Sequence, residues 1–181
     1  PAIVKGEAGS PYAIRDYYDV APALAVDVEH RMEEFEALIE RTHAAGLKVI
    51  IDFVPNHLSR EYASDAKPSY VKDFGEEDDT SVPFAPNNNF YYLPQETLTL
   101  ISGDEVYTET PAKATGNDQF TSHPTPSDWY ETIKLNYGID LAGDWSTHYD
   151  PVPDTWNKML DILNYWAAKG VDGFTWLMAR S

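Results

Sequence analysis

The segment DFVPNH, residues 52–57, begins with one polar side chain and ends with two: Asp52, Asn56 and His57. Asp52 accepts hydrogen bonds, Asn56 both donates and accepts, and His57 can donate to a polar ligand at neutral pH. They lie where an apolar run breaks at a proline, so the segment indicates either a ligand site at a strand end or side chains that satisfy the local backbone. A metal site is less favoured, because adjacent Asn56 and His57 point to opposite sides of an extended strand.

A second candidate lies near the amino-terminal end, in GSPYAIRDY, residues 9–17. Its Gly-Ser-Pro turn presents Tyr12, whose ring could stack on the apolar face of a sugar while its hydroxyl forms a hydrogen bond. The alternative is a tyrosine that packs into the turn or the core, which is the more common role for such a residue. The residues alone leave both interpretations open.

The composition narrows the range of partners. The 181 residues carry 13 Lys and Arg against 30 Asp and Glu, a formal net charge of −17. This charge would repel a phosphate backbone or an anionic membrane surface, so we expect neither nucleic acid nor membrane as a partner. The absence of cysteine excludes disulfides and thiolate chemistry. The cellular location is left open, with a secreted or periplasmic protein as one hypothesis.

Residues 27–53 must position the first candidate, and their pattern predicts a helix followed by a strand. Asp27 is the predicted helix cap, Gly46 the stop, and residues 48–53 an apolar strand covered on both faces, as in a parallel sheet. The predicted apolar stripe of the helix consists of Met32, Phe35, Leu38, Ile39 and Thr42.

The same pattern returns over residues 154–178, with Asp154 as the predicted cap, Gly170 as the stop and a strand from residue 171 to residue 178. Its predicted stripe consists of Trp156, Met159, Leu160, Leu163, Trp166 and Ala167. Parallel strands joined by crossover helices are typical of an α/β sheet or barrel. Two such units cannot close an eight-stranded barrel, so the predicted fold is α/β, a partial (β/α)8 TIM barrel.

About ninety residues separate the two units and contain only short strand-like pieces. We expect three parts: a barrel segment over residues 1–57, an inserted irregular and small-β subdomain over residues 58–153, and a barrel helix and strand over residues 154–181. Within the insertion, residues 90–93, 97–101 and 105–108 predict a small hairpin around Gly103. Loops of this length are commonly functional or form separate subdomains.

Taken together, GSPYAIRDY, AAGLKVIIDFVPNH, the long insertion and WAAKGVDGFTWLM closely resemble the α-amylase family of glycoside hydrolases. The resemblance runs from after the second barrel strand through the fourth and covers essentially the whole chain. DFVPNH matches the family's first conserved region, and GVDGF matches the opening of its second. This resemblance implies a TIM barrel that cleaves or transfers α-glucosidic bonds with two carboxylates.

The resemblance also implies roles for individual residues. Tyr12 is similar to the tyrosine that stacks on the sugar at the cleavage subsite, and His57 to the histidine that hydrogen-bonds that sugar. Asp52 and Asn56 are similar to the supporting polar pair of the first region. In some members that asparagine helps bind calcium between barrel and subdomain, so the sequence requires no cofactor but is compatible with calcium. The expected partners are an α-glucan, such as starch or a maltooligosaccharide, and the remainder of the barrel.

The second region departs from the family pattern after Gly173 and Phe174. The family has an arginine, a variable residue and the nucleophilic aspartate there, whereas this chain has Thr175, Trp176 and Leu177. Leucine cannot form a glycosyl ester, and the family's general acid lies on a later strand. We therefore expect no hydrolysis by this chain alone. The alternative is a noncatalytic carbohydrate-binding or scaffold α/β module.

Overall fold

The structure, a computed structural model, describes residues 3–5, 9–100 and 107–176, and the side chains of the last two ranges. Its strands are β1 Ile3–Lys5, β2 Ile14–Val20, β3 Ile50–Phe53, β4 His57–Ser59, β5 Tyr92–Leu93, β6 Ala112–Lys113, β7 Thr132–Lys134 and β8 Gly173–Trp176. Its α-helices are α1 Arg31–Ala44 and α2 Asp154–Ala168. Short 3-10 turns cover Pro22–Leu24, Val28–His30 and Pro126–Asp128.

The first helix–strand unit forms with shifted boundaries, but Leu38 of its predicted apolar stripe is 46% exposed, so that member of the stripe was wrong. The Asp27 carboxylate accepts from the backbone N–H of Glu29 and caps the turn Val28–His30, so it acts one turn before α1 begins. Gly46 follows the helix with φ +75°, a backbone conformation that glycine adopts at little steric cost. Strand β3 then starts two residues later than predicted.

The second unit differs from the prediction at its helix start. Pro153 is the N-cap of α2, so the prediction of Asp154 as the cap is wrong. Asp154 is the first helical residue, and its backbone N–H donates to the side-chain oxygen of Asn87 at 3.0 Å. The insertion therefore supplies the cap that the local sequence lacks. Gly170 follows the helix with φ +104°, as its predicted stop.

Strands β3 and β8 pair in parallel, which confirms the predicted α/β arrangement. The described strands form four two-stranded sheets, so they do not close a barrel. Ile51 and Phe53 are buried, whereas Ile50 is 61% exposed, so the prediction that both faces of β3 are covered is wrong. The face that carries Ile50 is therefore open in the described part of the chain.

The core gathers around β2 and the two helices. Tyr17, Tyr18 and Trp166 are fully buried, and the Trp166 indole N–H donates to the Tyr17 carbonyl at 2.7 Å. The ring of Phe35 on α1 meets that of Trp166 edge-on, with centroids 5.6 Å apart. Aromatic packing thus fixes both helices against the strand that follows Tyr12.

The insertion is held by short antiparallel pairs and by buried charge. β4 pairs with β7, and β5 with β6. Arg60 and Glu109 form an ion pair at 2.6 Å with side chains 1% and 9% exposed. The predicted hairpin around Gly103 falls partly on residues 101–106, which lie outside the described residues. The strand piece predicted over residues 90–93 contains β5, which pairs with β6.

Candidate functional site

His57 occupies the centre of a polar cluster where β3 ends and β4 begins. Its side chain is buried, with Nε2 3.1 Å from the Tyr12 carbonyl oxygen and Nδ1 2.9 Å from the Asn56 amide nitrogen. The ring of Trp129 covers it edge-on, with centroids 4.3 Å apart. The fold therefore brings Tyr12 into contact with His57, from which it is 45 positions distant in the sequence. Asn56, the neighbour of His57 in the chain, completes the cluster.

The surroundings of Asn56 determine which nitrogen of His57 carries the proton. The Asn56 amide oxygen accepts from the Lys134 ammonium at 2.7 Å, and its Nδ2 donates to the Gly116 carbonyl at 2.9 Å. Because Nδ2 can only donate, His57 Nδ1 must accept, and the assigned proton sits on Nε2, which donates to Tyr12. Burial lowers the pKa of His57 to about 4, and the nearby Lys134 charge adds to this. His57 is therefore neutral at pH 7.

The side chain of Tyr12 is neither fully exposed, as a sugar-stacking ring would be, nor fully buried in the core. Tyr12 is half-buried and its side chain packs against the core, while its backbone carbonyl oxygen accepts a hydrogen bond from His57 Nε2. The predicted turn is present, because Gly9 has φ +98° and the Tyr12 N–H donates to the Ser10 hydroxyl at 3.3 Å. The turn thus holds Tyr12 against the polar cluster.

Asp52 lies apart from that cluster. It faces Thr175 across the parallel pair, and the Thr175 hydroxyl donates to its carboxylate. Alternation along β3 puts Asp52 on the same open face as Ile50. Among the described residues Asp52 has no hydrogen bond with Asn56 or His57. Leu177, the position that the resemblance aligns with the nucleophile, lies outside the described residues.

The insertion contributes four residues that the sequence patterns did not predict as site residues: Gly116, Asp118, Trp129 and Lys134. Lys134 faces His57 across the β4–β7 pair, and its ammonium lies 2.6 Å from the Asp118 carboxylate. Gly116 leaves no room for a side chain, since an added Cβ would lie 2.9 Å from the Cβ of His57. Gly116 and Lys134 follow Asn56 by 60 and 78 positions, so no local spacing signalled them.

Calcium does not fit the residues around Asn56. Ca²⁺ needs six to eight oxygen ligands at about 2.3–2.6 Å. The Asn56 amide oxygen already accepts from an ammonium at 2.7 Å, and that ammonium is also paired with Asp118. Within residues 9–100 and 107–176, no group of three or more His, Cys, Asp or Glu side chains is arranged to hold a metal ion.

An apolar groove of about 600 Å³ lies beside the same strand end. Most of its lining is apolar; the side chains are Phe53, Pro55, Asn56, Tyr137, Val152, Trp156, Asn157, Met159, Leu160, Leu163 and Trp176. Two members of the predicted α2 stripe, Trp156 and Leu160, remain 49% and 54% exposed there. Few groups in the groove could orient the hydroxyls of a sugar. It is better suited to apolar packing.

The parallel pair and its two helices define an α/β segment with a polar cluster at the end of β3. The family described as "Alpha amylase, catalytic domain" matches residues 3–176. The chain belongs to the α-amylase family, which confirms the resemblance seen in the sequence.

Individual relatives agree with this assignment. The chain is 27% identical over 168 residues to Maltase A1 of Drosophila melanogaster and 25% identical over 184 residues to the human amino acid transporter heavy chain SLC3A1. These alignments cover 90% and 91% of this chain but 24% and 20% of the relatives. A crystal structure of an α-amylase from Lactobacillus plantarum matches with a TM-score of 0.55 and 25% identity, over 99% of this chain and 29% of that one. The chain thus spans about a quarter of these relatives.

The described helices include none that is long and apolar enough to cross a membrane.

Proposed function

We propose that this chain is the sugar-binding portion of an α-amylase-type glycoside hydrolase that acts on α-glucans, such as starch or maltooligosaccharides. The cluster of Tyr12, Asn56 and His57 at the end of β3 carries this proposal. It places an aromatic ring and a neutral imidazole donor together at a strand end, which is where barrel enzymes bind substrate. Asp52 is proposed as a supporting carboxylate on the neighbouring open face.

Binding of a sugar through His57 requires an exchange of partners. The Nε2 proton is donated to the Tyr12 carbonyl and the ring is 1% exposed, so a sugar hydroxyl would have to take the place of that carbonyl. The half-buried Tyr12 ring would then be free to move with its turn and stack on the sugar. The proposal therefore includes a small rearrangement of residues 9–12.

Titration calorimetry with maltopentaose tests this binding. Tyr12→Ala should weaken binding about tenfold, because stacking of one aromatic ring contributes on the order of 1 kcal/mol. Tyr12→Phe should retain most of the affinity, and Tyr70→Ala, which alters a tyrosine that is 79% exposed, is the matched control. A folded chain that shows no heat of binding would contradict the proposal.

We further propose that the chain does not hydrolyse glycosides by itself. Retaining cleavage needs a carboxylate nucleophile and a carboxylic general acid about 5–5.5 Å apart. Leu177 stands where the resemblance places the nucleophile. Incubation with soluble starch should release no reducing sugar above that of a boiled sample. Turnover that survives purification and is unchanged in Tyr70→Ala would contradict the assignment of Leu177.

The proposed partner is the remainder of the barrel. The exposed apolar side chains on the open face and beside α2 support this: Ile50 is 61%, Trp176 61% and Leu160 54% exposed. Several exposed apolar side chains in one region, unlike a single exposed apolar residue, are typical of an interface. The length of the relatives also supports it, since they extend well beyond the matched region.

A noncatalytic carbohydrate-binding or scaffold module is the second candidate. It is favoured by the Thr175-Trp176-Leu177 sequence and by one relative that is named for a transporter heavy chain rather than for a hydrolase. The calorimetry separates its two forms. Maltopentaose binding without turnover supports a carbohydrate-binding module, and the absence of both supports a scaffold.

A further inference from the structure

Lys134 connects the insertion to the end of β3. It lies directly across the β4–β7 pair from His57, and its side chain is 14% exposed. Its ammonium lies 2.7 Å from the Asn56 amide oxygen and 2.6 Å from the Asp118 carboxylate. One cation therefore joins a residue of the barrel segment to a residue of the insertion.

This ammonium sits where a divalent cation would need to bind. A calcium ion at Asn56 would have to approach the amide oxygen to about 2.3–2.6 Å, and Nζ already holds that oxygen. The Asp118 oxygen that faces Nζ is buried and has no other hydrogen-bond partner in the described residues, so its charge is compensated by Lys134.

Lys134 and the Gly116 carbonyl together hold the Asn56 amide in one orientation. With its oxygen on Lys134, the amide must direct Nδ2 to the Gly116 carbonyl and to His57 Nδ1, both at 2.9 Å. His57 in turn must donate from Nε2 to Tyr12. If the amide reversed, it would present its nitrogen to an ammonium, a contact between two donors. A chain of contacts therefore runs from Asp118 to Tyr12.

We propose that Lys134 is a positioning residue that takes the place of a divalent cation at this junction and, acting through Asn56 together with the Gly116 and Tyr12 carbonyls, stabilises the Nε2–H tautomer of His57 without calcium. The role of His57 toward a sugar rests on the proposed function, but the contact chain does not. All three tests below are made without sugar, so they can fail independently of the binding experiment.

The first test is calcium response in the unaltered chain. Thermal unfolding in 5 mM CaCl2 and in 5 mM EDTA should give the same Tm within about 1 °C, with MgCl2 as the control for ionic strength. A Tm that rises by several degrees only in calcium would overturn the proposal, because it would show that the ion binds despite Lys134.

The second test removes the ammonium. Lys134→Met keeps the length of the side chain and should lower Tm by about 5 °C, because it leaves the buried Oδ1 of the partly exposed Asp118 and the Asn56 amide oxygen without their cation. Lys67→Met is the matched control: Lys67 is also a shielded lysine, but its nearest carboxylate, on Asp73, is 3.8 Å away. Equal Tm losses in the two variants would overturn the proposal.

The third test reads the tautomer directly. Nitrogen-15 NMR of the five histidines should assign His57 as the Nε2–H form in the unaltered chain and in Lys67→Met. Lys134→Met should shift its Nδ1 resonance or populate the second tautomer, a change that loss of packing alone would not produce. An unchanged His57 signature in folded Lys134→Met would overturn the positioning role. If that variant does not fold, Asp118→Asn tests the same chain, because it removes the counter-charge while Lys134 remains.

Discussion

The two helix–glycine–strand units have the same sequence pattern but are buried very differently. α1 contributes one buried residue, Ile39, with Met32 and Phe35 packing on the core from its flank. The buried residues of α2 are Thr155, Lys158, Met159, Ile162 and Trp166. Hydrophobic periodicity therefore predicts where each helix forms, whereas the neighbouring segments decide which side of the helix is buried.

The insertion explains the difference on α2. Lys158 donates to the Asn89 side-chain oxygen at 2.8 Å and to the Asp73 carbonyl at 3.1 Å, and Asn89 also donates to Thr155. These contacts draw a polar side of the helix inward. Trp156 and Leu160 of the predicted stripe are correspondingly left half exposed. On α1, Ile39 is buried whereas its neighbour Leu38 in the predicted stripe is 46% exposed, and the mid-helix Glu36 forms a partly exposed ion pair with Lys169 at 2.6 Å.

The largest expected effect comes from removing the main apolar anchor of α2. Trp166→Ala should lower the free energy of unfolding by about 3–5 kcal/mol, because it deletes a fully buried indole and its bond to Tyr17. Ile39→Ala on α1 should cost about 2–3 kcal/mol. Urea unfolding followed by tryptophan fluorescence and circular dichroism measures both.

Leu38→Ala serves as the control for this pair. Because Leu38 is 46% exposed, this substitution should lower the free energy of unfolding by less than about 1 kcal/mol. A loss in Ile39→Ala that exceeds the loss in Trp166→Ala would reverse the comparison between the two units.

A smaller effect is expected from acid at the junction between the first unit and the insertion. The pKa of His57 falls from 6.5 to about 4 on folding because the ring is buried. The folded chain therefore binds fewer protons than the unfolded chain, and stability should decline as pH falls from about 6.5 to 4, by up to about 3 kcal/mol. Urea unfolding at half-unit pH steps measures this slope.

His57→Gln is the control for the acid effect, and it should flatten the slope over that range. The comparison with the variant is needed because burial raises the pKa of Asp16 and Asp78. Folded carboxyls of that kind bind extra protons and gain stability as pH falls, opposite to His57. An identical slope with and without His57 would show that its burial contributes nothing to acid sensitivity.

The smallest expected effect tests the exposed side of α2. Leu160→Lys should change the free energy of unfolding by less than about 0.5 kcal/mol, because Leu160 is 54% exposed and lysine is a good helix former. It should reduce binding of an apolar fluorescent dye to the groove. Ile162→Lys, at a fully buried position on the same helix, is the contrast and should unfold the chain.

A larger cost for Leu160→Lys than for Ile39→Ala would contradict the exposed side assigned to α2. It would show that the predicted stripe, rather than the observed one, is buried in solution.

Much of the fold was predictable because helix periodicity, glycine stops and apolar strand runs depend on residues that are close together in the sequence. The helices, the stops at Gly46 and Gly170 and the parallel pairing of β3 with β8 followed from spacing and composition. The cap of α2 was not predictable, because Asn87 provides it from the insertion. The open face of β3 was also missed, since a continuous apolar run indicates burial but does not specify what covers it.

The sequence by itself determined the family and the identity of the candidate residues, because Tyr12, Asn56 and His57 stand in short motifs. Only the tertiary structure decided their electrostatic state. Lys134 reaches Asn56 across 78 positions of chain, and the resulting contacts fix the orientation of the amide and the tautomer of His57. A hydrogen bond depends on atoms within about 3 Å, and such proximity between distant residues is set by folding rather than by spacing.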